Sequence, residues 1–284
     1  MQNTSDLKSF HYLENGEINF SVLDTIKTEK TLQSGIYNLN YLDYPEHRVT
    51  LKENQDKETT KIHEFASKEK IDLLLDRFFN KDIYKMVKHL GFYHKTGILF
   101  YGKEGTGKSS IMKYYYTKAI EEEGALVFHI LRSDFYLKKC WDFIMNVRRI
   151  QPNPIIVIFE EIDSYLKDNT AFLKTAFDGN NSIDNCIILA STNHINEIPE
   201  ALKDRPSRFK YSLNIEGIQK EEDVLIIIEK LLNNIFPKDD LDLFSKELKG
   251  STLDEIKQFC MDKIMNLKSS DIAPTRARIG FNKQ

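Results

Sequence analysis

Residues 102–109 read Gly102-Lys103-Glu104-Gly105-Thr106-Gly107-Lys108-Ser109, and they follow directly on the apolar run Gly97-Ile98-Leu99-Phe100-Tyr101. A buried strand that ends in a glycine turn and opens a helix lets backbone N–H groups and a helix N-terminus converge on phosphate. All three parts stand here in order, because the run from Ser110 through Ile111, Met112 and Lys113 to Tyr116 is helix-compatible. Gly102, Gly105 and Gly107 allow positive φ and a close approach of backbone to phosphate. The backbone of Glu104 and Thr106 and the start of the helix at Ser110 complete the cradle. Lys108 would reach the β- and γ-phosphates, and the Ser109 hydroxyl would ligate Mg²⁺. The reading is a Walker A loop, and the chain is expected to bind a nucleoside triphosphate.

Hydrolysis needs a carboxylate to organise Mg²⁺ and a group to activate water, both at the end of a neighbouring strand. Ile155-Ile156-Val157-Ile158-Phe159 reads as a centrally buried strand, and Glu160-Glu161-Ile162-Asp163 follows it. Ligands of an open parallel sheet lie at the carboxyl ends of its strands. Successive strand residues point to opposite sides, so the two acids divide the work. Glu160 is assigned to Mg²⁺ through water, and Glu161 to the attacking water. A further buried strand, Cys186 to Ser191, ends in Thr192-Asn193. Asn193 there could hydrogen-bond the water and the γ-phosphate together, or could simply initiate a turn. Arg205-Pro206-Ser207-Arg208 places two arginines around a proline as a rigid cationic prong. Such a prong can serve a neighbouring subunit's γ-phosphate or a surface salt bridge.

The 284 residues suggest one or two domains with ample material for a core. A net charge of −3 argues against a generic polyanion binder. Cys140, Cys186 and Cys260 are widely spaced and make neither a disulfide framework nor a zinc cluster. No apolar run reaches the 18 residues of a membrane span, so the expectation is a soluble, cytoplasmic protein without membrane contact. Strands are expected at 97–101, 125–131, 155–160 and 186–191 with helices between them. That alternation implies a parallel sheet covered by helices on both faces. Residues 70–81 have helical periodicity, and 219–236 and 252–268 read as helices of a small all-helical part. Strand-like text over 32–51 and a charged stretch over 52–61 suggest a β-rich N-terminal accessory module. The expected division is therefore 1–65 accessory, 66–216 large α/β subdomain, and 217–284 helical lid and tail.

These pieces together resemble an AAA+ ATPase of the AAA subgroup: Walker A at 102–109, Walker B at 155–161, sensor 1 at Thr192-Asn193, and the stretch from Ala201 to Phe209. Lys249 to Ile256 is similar to the lid motif near the sensor 2 position. The resemblance covers about 70–265 and implies ATP with Mg²⁺ as the ligands and ATP hydrolysis as the reaction. It makes Arg205 and Arg208 trans-acting arginine fingers and the functional unit a ring, usually hexameric, with a heptamer as the alternative. Within the subgroup the chain is most similar to the mitochondrial AAA chaperone type that exports the Rieske protein. The points of similarity are Glu160 in place of Asp, the segment from Phe172 to Gly179, and Thr192-Asn193-His194. That type carries a membrane helix and a larger specific domain, neither visible here.

The family's threading members carry an aromatic–hydrophobic–glycine pore loop, whereas Ser133 to Phe143 contains no glycine. Phe135, Tyr136 and Trp141 could line a pore or belong to the core; core is favoured for Trp141, and Tyr136 and Leu137 stay undecided. Lys138 and Lys139 read as a solvated helix face, and Arg276 and Arg278 as tail residues that could touch nucleotide. The leading expectation is a ring that remodels or translocates a protein substrate. The alternatives are a nucleic-acid-associated motor or loader, which nothing in the sequence indicates, and an ATP-controlled assembly scaffold.

Overall fold

The computed structural model describes residues 9–12, 18–22, 25–29, 31–42, 48–53, 68–131, 136–178, 181–203, 205, 208–232 and 235–267. Ten strands and nine α-helices lie within these residues, with a short 3₁₀ turn at Ile195–Glu197. The strands are β1 (Ser9–Tyr12), β2 (Ile18–Val22), β3 (Thr25–Glu29), β4 (Gly35–Leu42), β5 (Arg48–Glu53), β6 (Lys95–Tyr101), β7 (Leu126–Ile130), β8 (Ile155–Phe159), β9 (Cys186–Thr192) and β10 (Tyr211–Asn214). The helices are α1 (Lys68–Phe79), α2 (Lys81–His89), α3 (Lys108–Glu123), α4 (Leu137–Ile150), α5 (Asp163–Asp178), α6 (Glu200–Lys203), α7 (Glu221–Leu232), α8 (Lys238–Glu247) and α9 (Leu253–Met265). The chain divides into two compact units. One takes in 1–62, 67–101 and 109–214, the other 63–66, 102–108 and 215–284.

The first unit is one sheet in the order β10-β6-β9-β8-β7-β4-β5-β1-β2-β3. Pairing is parallel from β10 through β4 and antiparallel beyond it. All five residues of β8 and all seven of β9 are buried. A strand covered on both faces reads as a continuous apolar run, which is why these two were legible without alternation. The parallel sheet and flanking helices are those expected. The N-terminal strands, read from sequence as an accessory module, continue the same sheet. In β4, Tyr37 stands opposite Phe128 and Leu39 opposite Ile130. Leu32, Tyr37, Leu39, Val49 and Leu51 accordingly join the core around β7 and β8. The buried Gln151 amide seals this junction, accepting from Leu32 N–H at 2.8 Å and donating to Leu32 O at 3.0 Å.

Helix α4 buries Leu137, Cys140, Trp141, Phe143, Ile144 and Val147, the stripe of a helix with one face in a core. The pore question is resolved at two positions. Leu137 and Trp141 are core residues, and the Trp141 indole N–H donates to the Asn181 carbonyl at 2.7 Å. Tyr136 stacks on Tyr41 of β4 with ring centroids 4.2 Å apart. Phe135 lies outside the described residues, as do Arg276 and Arg278. Lys138 and Lys139 are exposed, as a solvated face requires.

The second unit buries Val224, Ile227, Ile228 and Leu232 of α7 against Leu241 and Phe244 of α8 and Ile256 and Cys260 of α9. Helix α8, not separately anticipated, owes its inner face to the spacing of Leu241, Phe244 and Leu248. No helix among the described residues is long and apolar enough to cross a membrane.

Gly97 admits the backbone that follows α6 against β6, because a Cβ there would stand 2.3 Å from the Arg208 carbonyl oxygen. Gly97→Ala is expected to cost about 1–3 kcal/mol in urea melts, the range for overpacking. Gly35→Ala, whose Cβ would meet nothing closer than 3.8 Å, should leave the midpoint nearly unchanged.

Candidate active site

The parallel register sets the site. Tyr101, the last residue of β6, pairs with Thr192 of β9, and Phe159 of β8 pairs with Ala190. Three strands thus end along one edge of the first unit: the strand that leads into the glycine loop, the strand that carries the acids, and the strand that leads to Asn193. The chain leaves this unit at Tyr101 and re-enters it at Ser109.

Glu160 and Glu161 are exposed at the end of β8, while Ile162 behind them is fully buried. Glu161 has φ 49°, a left-handed conformation that costs a residue with a Cβ on the order of 1 kcal/mol. Ser191 holds it there. The Glu161 N–H donates to the Ser191 hydroxyl at 3.2 Å and the Ile162 N–H to the Ser191 carbonyl at 2.8 Å. One residue on, the Thr192 hydroxyl donates to the Asp163 carboxylate at 2.5 Å and accepts from the His194 N–H at 2.9 Å. Asn193 sits between these anchors, partly buried. The anchoring roles of Ser191 and Asp163 were not assigned from sequence, where Ser191 is one serine inside an apolar strand and Asp163 only trails the Walker B acids.

Within the second unit, Gly105 and Gly107 have φ 78° and 92°, the conformations expected of the loop. Lys108 is 8% exposed, and its ammonium donates to the carbonyls of Gly102 and Lys103 at 2.8 and 2.9 Å. The Thr106 hydroxyl also donates to Lys103 O, at 2.9 Å, so these contacts fold the loop around its lysine. Gly102 and Glu104 complete the turn, with Glu104 exposed. Helix α3 begins at Lys108, which puts Ser109 and Ser110 in its first turn, Ser109 exposed.

The two arginines of the prong differ. Arg205 projects, with its side chain 64% exposed and a guanidinium nitrogen 3.4 Å from Asp178 Oδ2. Arg208 is 6% exposed, its Nε 2.6 Å from the same oxygen and its Nη1 on the Ala201 carbonyl. Asp178, at the end of α5, is therefore a clamp for this segment that the sequence did not advertise. Lys95 lies in the same neighbourhood, donating to Ser182 Oγ at 2.7 Å. Burial lowers its pKa, against the opposing pull of Asp178.

The charge available here belongs to oxygen and nitrogen groups. Burial pushes the Cys140 and Cys186 thiols up to about 12, which leaves them protonated. No cluster of three or more His, Cys, Asp or Glu side chains that could hold a metal occurs among the described residues. Glu160 and the Ser109 hydroxyl are hard oxygen donors of the kind Mg²⁺ takes when substrate phosphates and water supply the rest of its shell.

Residues 98–216 match the sequence model of the ATPase family associated with various cellular activities (AAA). Among curated relatives, the proteasome-activating nucleotidase of Saccharolobus islandicus is 26% identical over 202 residues, covering 63% of this chain and 49% of that one. The ATPase family gene 2 protein of Schizosaccharomyces pombe is 29% identical over 167 residues, 53% of this chain and 20% of that one. A putative cell division cycle ATPase of Plasmodium falciparum is 27% identical over 191 residues, 61% of this chain and 15% of that one. The chain spans about half the length of the nucleotidase it matches.

His129 of β7 is partly buried and neighbours Glu160; burial lowers its pKa, and the Glu160 carboxylate opposes the shift. A histidine depressed on folding is stabilising above its unfolded pKa of about 6.5, and that stability is lost as pH falls toward the folded value. Between pH 7 and 5 the unfolding midpoint should therefore drop. His129→Gln should flatten that part of the profile, as measured by thermal melts at matched ionic strength.

Proposed function

We propose that residues 98–216, which match the AAA ATPase model, form a domain that binds ATP with Mg²⁺ and hydrolyses it, and that the chain is a subunit of an ATP-driven ring that remodels or translocates a protein substrate. The observation that carries the reading is the posture of Glu161. A carboxylate is held in left-handed backbone at the end of β8, pinned by Ser191 of the strand that lies between β8 and β6. Strain of this kind persists where the surroundings over-determine it, and it clusters at reacting centres.

In this reading the loop from Gly102 to Ser110 cradles the triphosphate and Lys108 binds its terminal phosphates. Ser109 and Glu160 hold Mg²⁺. When bound, that ion neutralises charge developing on the phosphate oxygens. Glu161 orients and polarises the attacking water, and Asn193 fixes water and γ-phosphate together. Arg205 serves the neighbouring subunit's site, as its exposure favours, so each catalytic site is shared between adjacent subunits. Sequence gave Arg208 the same role. Its burial against Asp178 and Ala201 favours another, which is to hold the prong in place.

We take 66–216 as the large subdomain and 217–284 as the lid, with substrate choice in residues 1–65 and the pore. The name of the proteasome-activating relative supports a protein substrate. Glu160, Phe172 to Gly179 and Thr192-Asn193-His194 support the Rieske-exporting chaperone type within the family. Three buried free thiols are in keeping with the reducing cytoplasm. A hexamer is the proposed ring, and a heptamer would show as a larger mass by light scattering with nucleotide. Stimulation of turnover by single- or double-stranded nucleic acid would favour the motor or loader reading instead. Slow turnover with nucleotide-dependent assembly would favour a scaffold.

Glu161→Gln should retain ATP binding and lose turnover by at least about 100-fold; undiminished hydrolysis would sink the assignment. Arg205→Ala should bind nucleotide but turn over only when mixed with a Lys108→Ala partner that supplies the missing arginine. Arg208→Ala should lose about 3 kcal/mol of stability, since it removes the most buried of the cations around Asp178.

A further inference from the structure

Within the second unit the first turn of α9 is docked on the phosphate loop. The Asp254 N–H donates to the Gly105 carbonyl at 3.2 Å. Glu255 accepts from the Thr252 N–H at 2.7 Å, the Thr252 hydroxyl accepts from the Glu255 N–H at 3.2 Å, and the two close a capping box. The same Glu255 carboxylate pairs with Lys103 of the loop at 3.0 Å. These hydrogen bonds, that to the Thr252 N–H first, hold its pKa below the usual carboxylate range. The fit is close. A Cβ at Gly105 would stand 3.1 Å from Asp254 Cβ and 3.2 Å from both Asp254 Oδ2 and Thr252 Oγ1. A Cβ at Gly107 would stand 3.6 Å from Leu253.

An unusual charge arrangement results. The loop's attraction for phosphate comes from Lys108 and backbone N–H groups, yet a carboxylate is fixed a few ångströms from its central glycine. Glu255 is engaged by Lys103. Among the described residues Asp254 pairs with Lys257, at 3.5 Å, and its side chain is 69% exposed, so its charge is screened but not cancelled. The fold gains only the modest favour of an acid in a helix's first turn from a charge there. Thr252 and Glu255 already cap α9, and the Asp254 contact to Gly105 uses backbone alone.

We propose that Asp254 is an affinity-limiting residue of the nucleotide site, its carboxylate held against the phosphate loop so as to weaken retention of a nucleoside diphosphate and speed its release. The proposal rests on the reading of 102–109 as the phosphate loop. A like charge beside the loop, partly solvated, is expected to lower affinity about three- to tenfold. The interaction is sensitive to salt, since the screening length falls from about 10 Å at 0.1 M to about 3 Å at 1 M.

The test is binding of N-methylanthraniloyl-ADP to the full chain, followed by fluorescence at 50 mM and 1 M NaCl, for wild type, Asp254→Asn, Asp254→Ser and Lys108→Ala. Both Asp254 variants should bind about three- to tenfold tighter at low salt and lie within twofold of wild type at 1 M. Equal or weaker binding in both variants at 50 mM, with Lys108→Ala abolishing wild-type binding, would overturn the role of Asp254 and leave the loop assignment standing. A gain that persists unchanged at 1 M would overturn it as well, since packing and not charge would be the cause. Failure of wild type to bind at all, indistinguishable from Lys108→Ala, would remove the underlying reading too.

Discussion

Parallel pairing of β6 with β9 and of β9 with β8 is the constraint on which the rest depends. Parallel strands need long crossovers, so helices cover both faces and the strands between them must be apolar throughout. That burial is what makes β8 and β9 stiff. A stiff β9 can then hold Glu161 in an unfavourable backbone conformation through a single serine. Moving the register by one residue would turn Ser191 to the opposite face and release the acid. Chemistry at this edge is therefore inherited from pairing deep in the sheet.

The second dependence is a gathering of cations around Asp178. Arg205, Arg208 and Lys95 come from two segments far apart in sequence and meet at the end of one helix. The prong is thereby fixed to the first unit's core at one arginine and free to project at the other. Gly97 contributes by omission, since the Arg208 carbonyl occupies the space a side chain would fill.

Much of this was legible in the sequence, and the boundary of legibility is physical. The glycine loop, the acids after Ile155–Phe159 and the strand before Asn193 stand out because burial on both faces and phosphate-binding turns impose strong local patterns. Helix α8 and the short parallel strand β10 gave weak patterns and were not separately anticipated. The continuity of β4 with β7 was hidden because pairing partners 91 residues apart leave no local trace; alternation marked a strand at Tyr37 and Leu39 but not its neighbour. Roles that rest on a single tertiary hydrogen bond, such as those of Ser191, Asp163 and Asp178, cannot be read from spacing, even where the residue stands within a motif. The split between Arg205 and Arg208 belongs to the same class, since spacing cannot tell an exposed guanidinium from a buried one.

Trp141 is the chain's one tryptophan, and it is 1% exposed, its N–H on Asn181 and its ring near Phe172 and Phe177. Indole emission at 295 nm excitation is consequently a label-free optical gauge of the sheet-bearing unit alone. It starts blue, from a dry and rigid environment, and reddens when that core admits water. The helices from α7 onward carry no such chromophore and are dark to the same measurement. Far-ultraviolet circular dichroism sees both units, so any gap between the two signals during denaturation separates their stabilities without a single engineered residue.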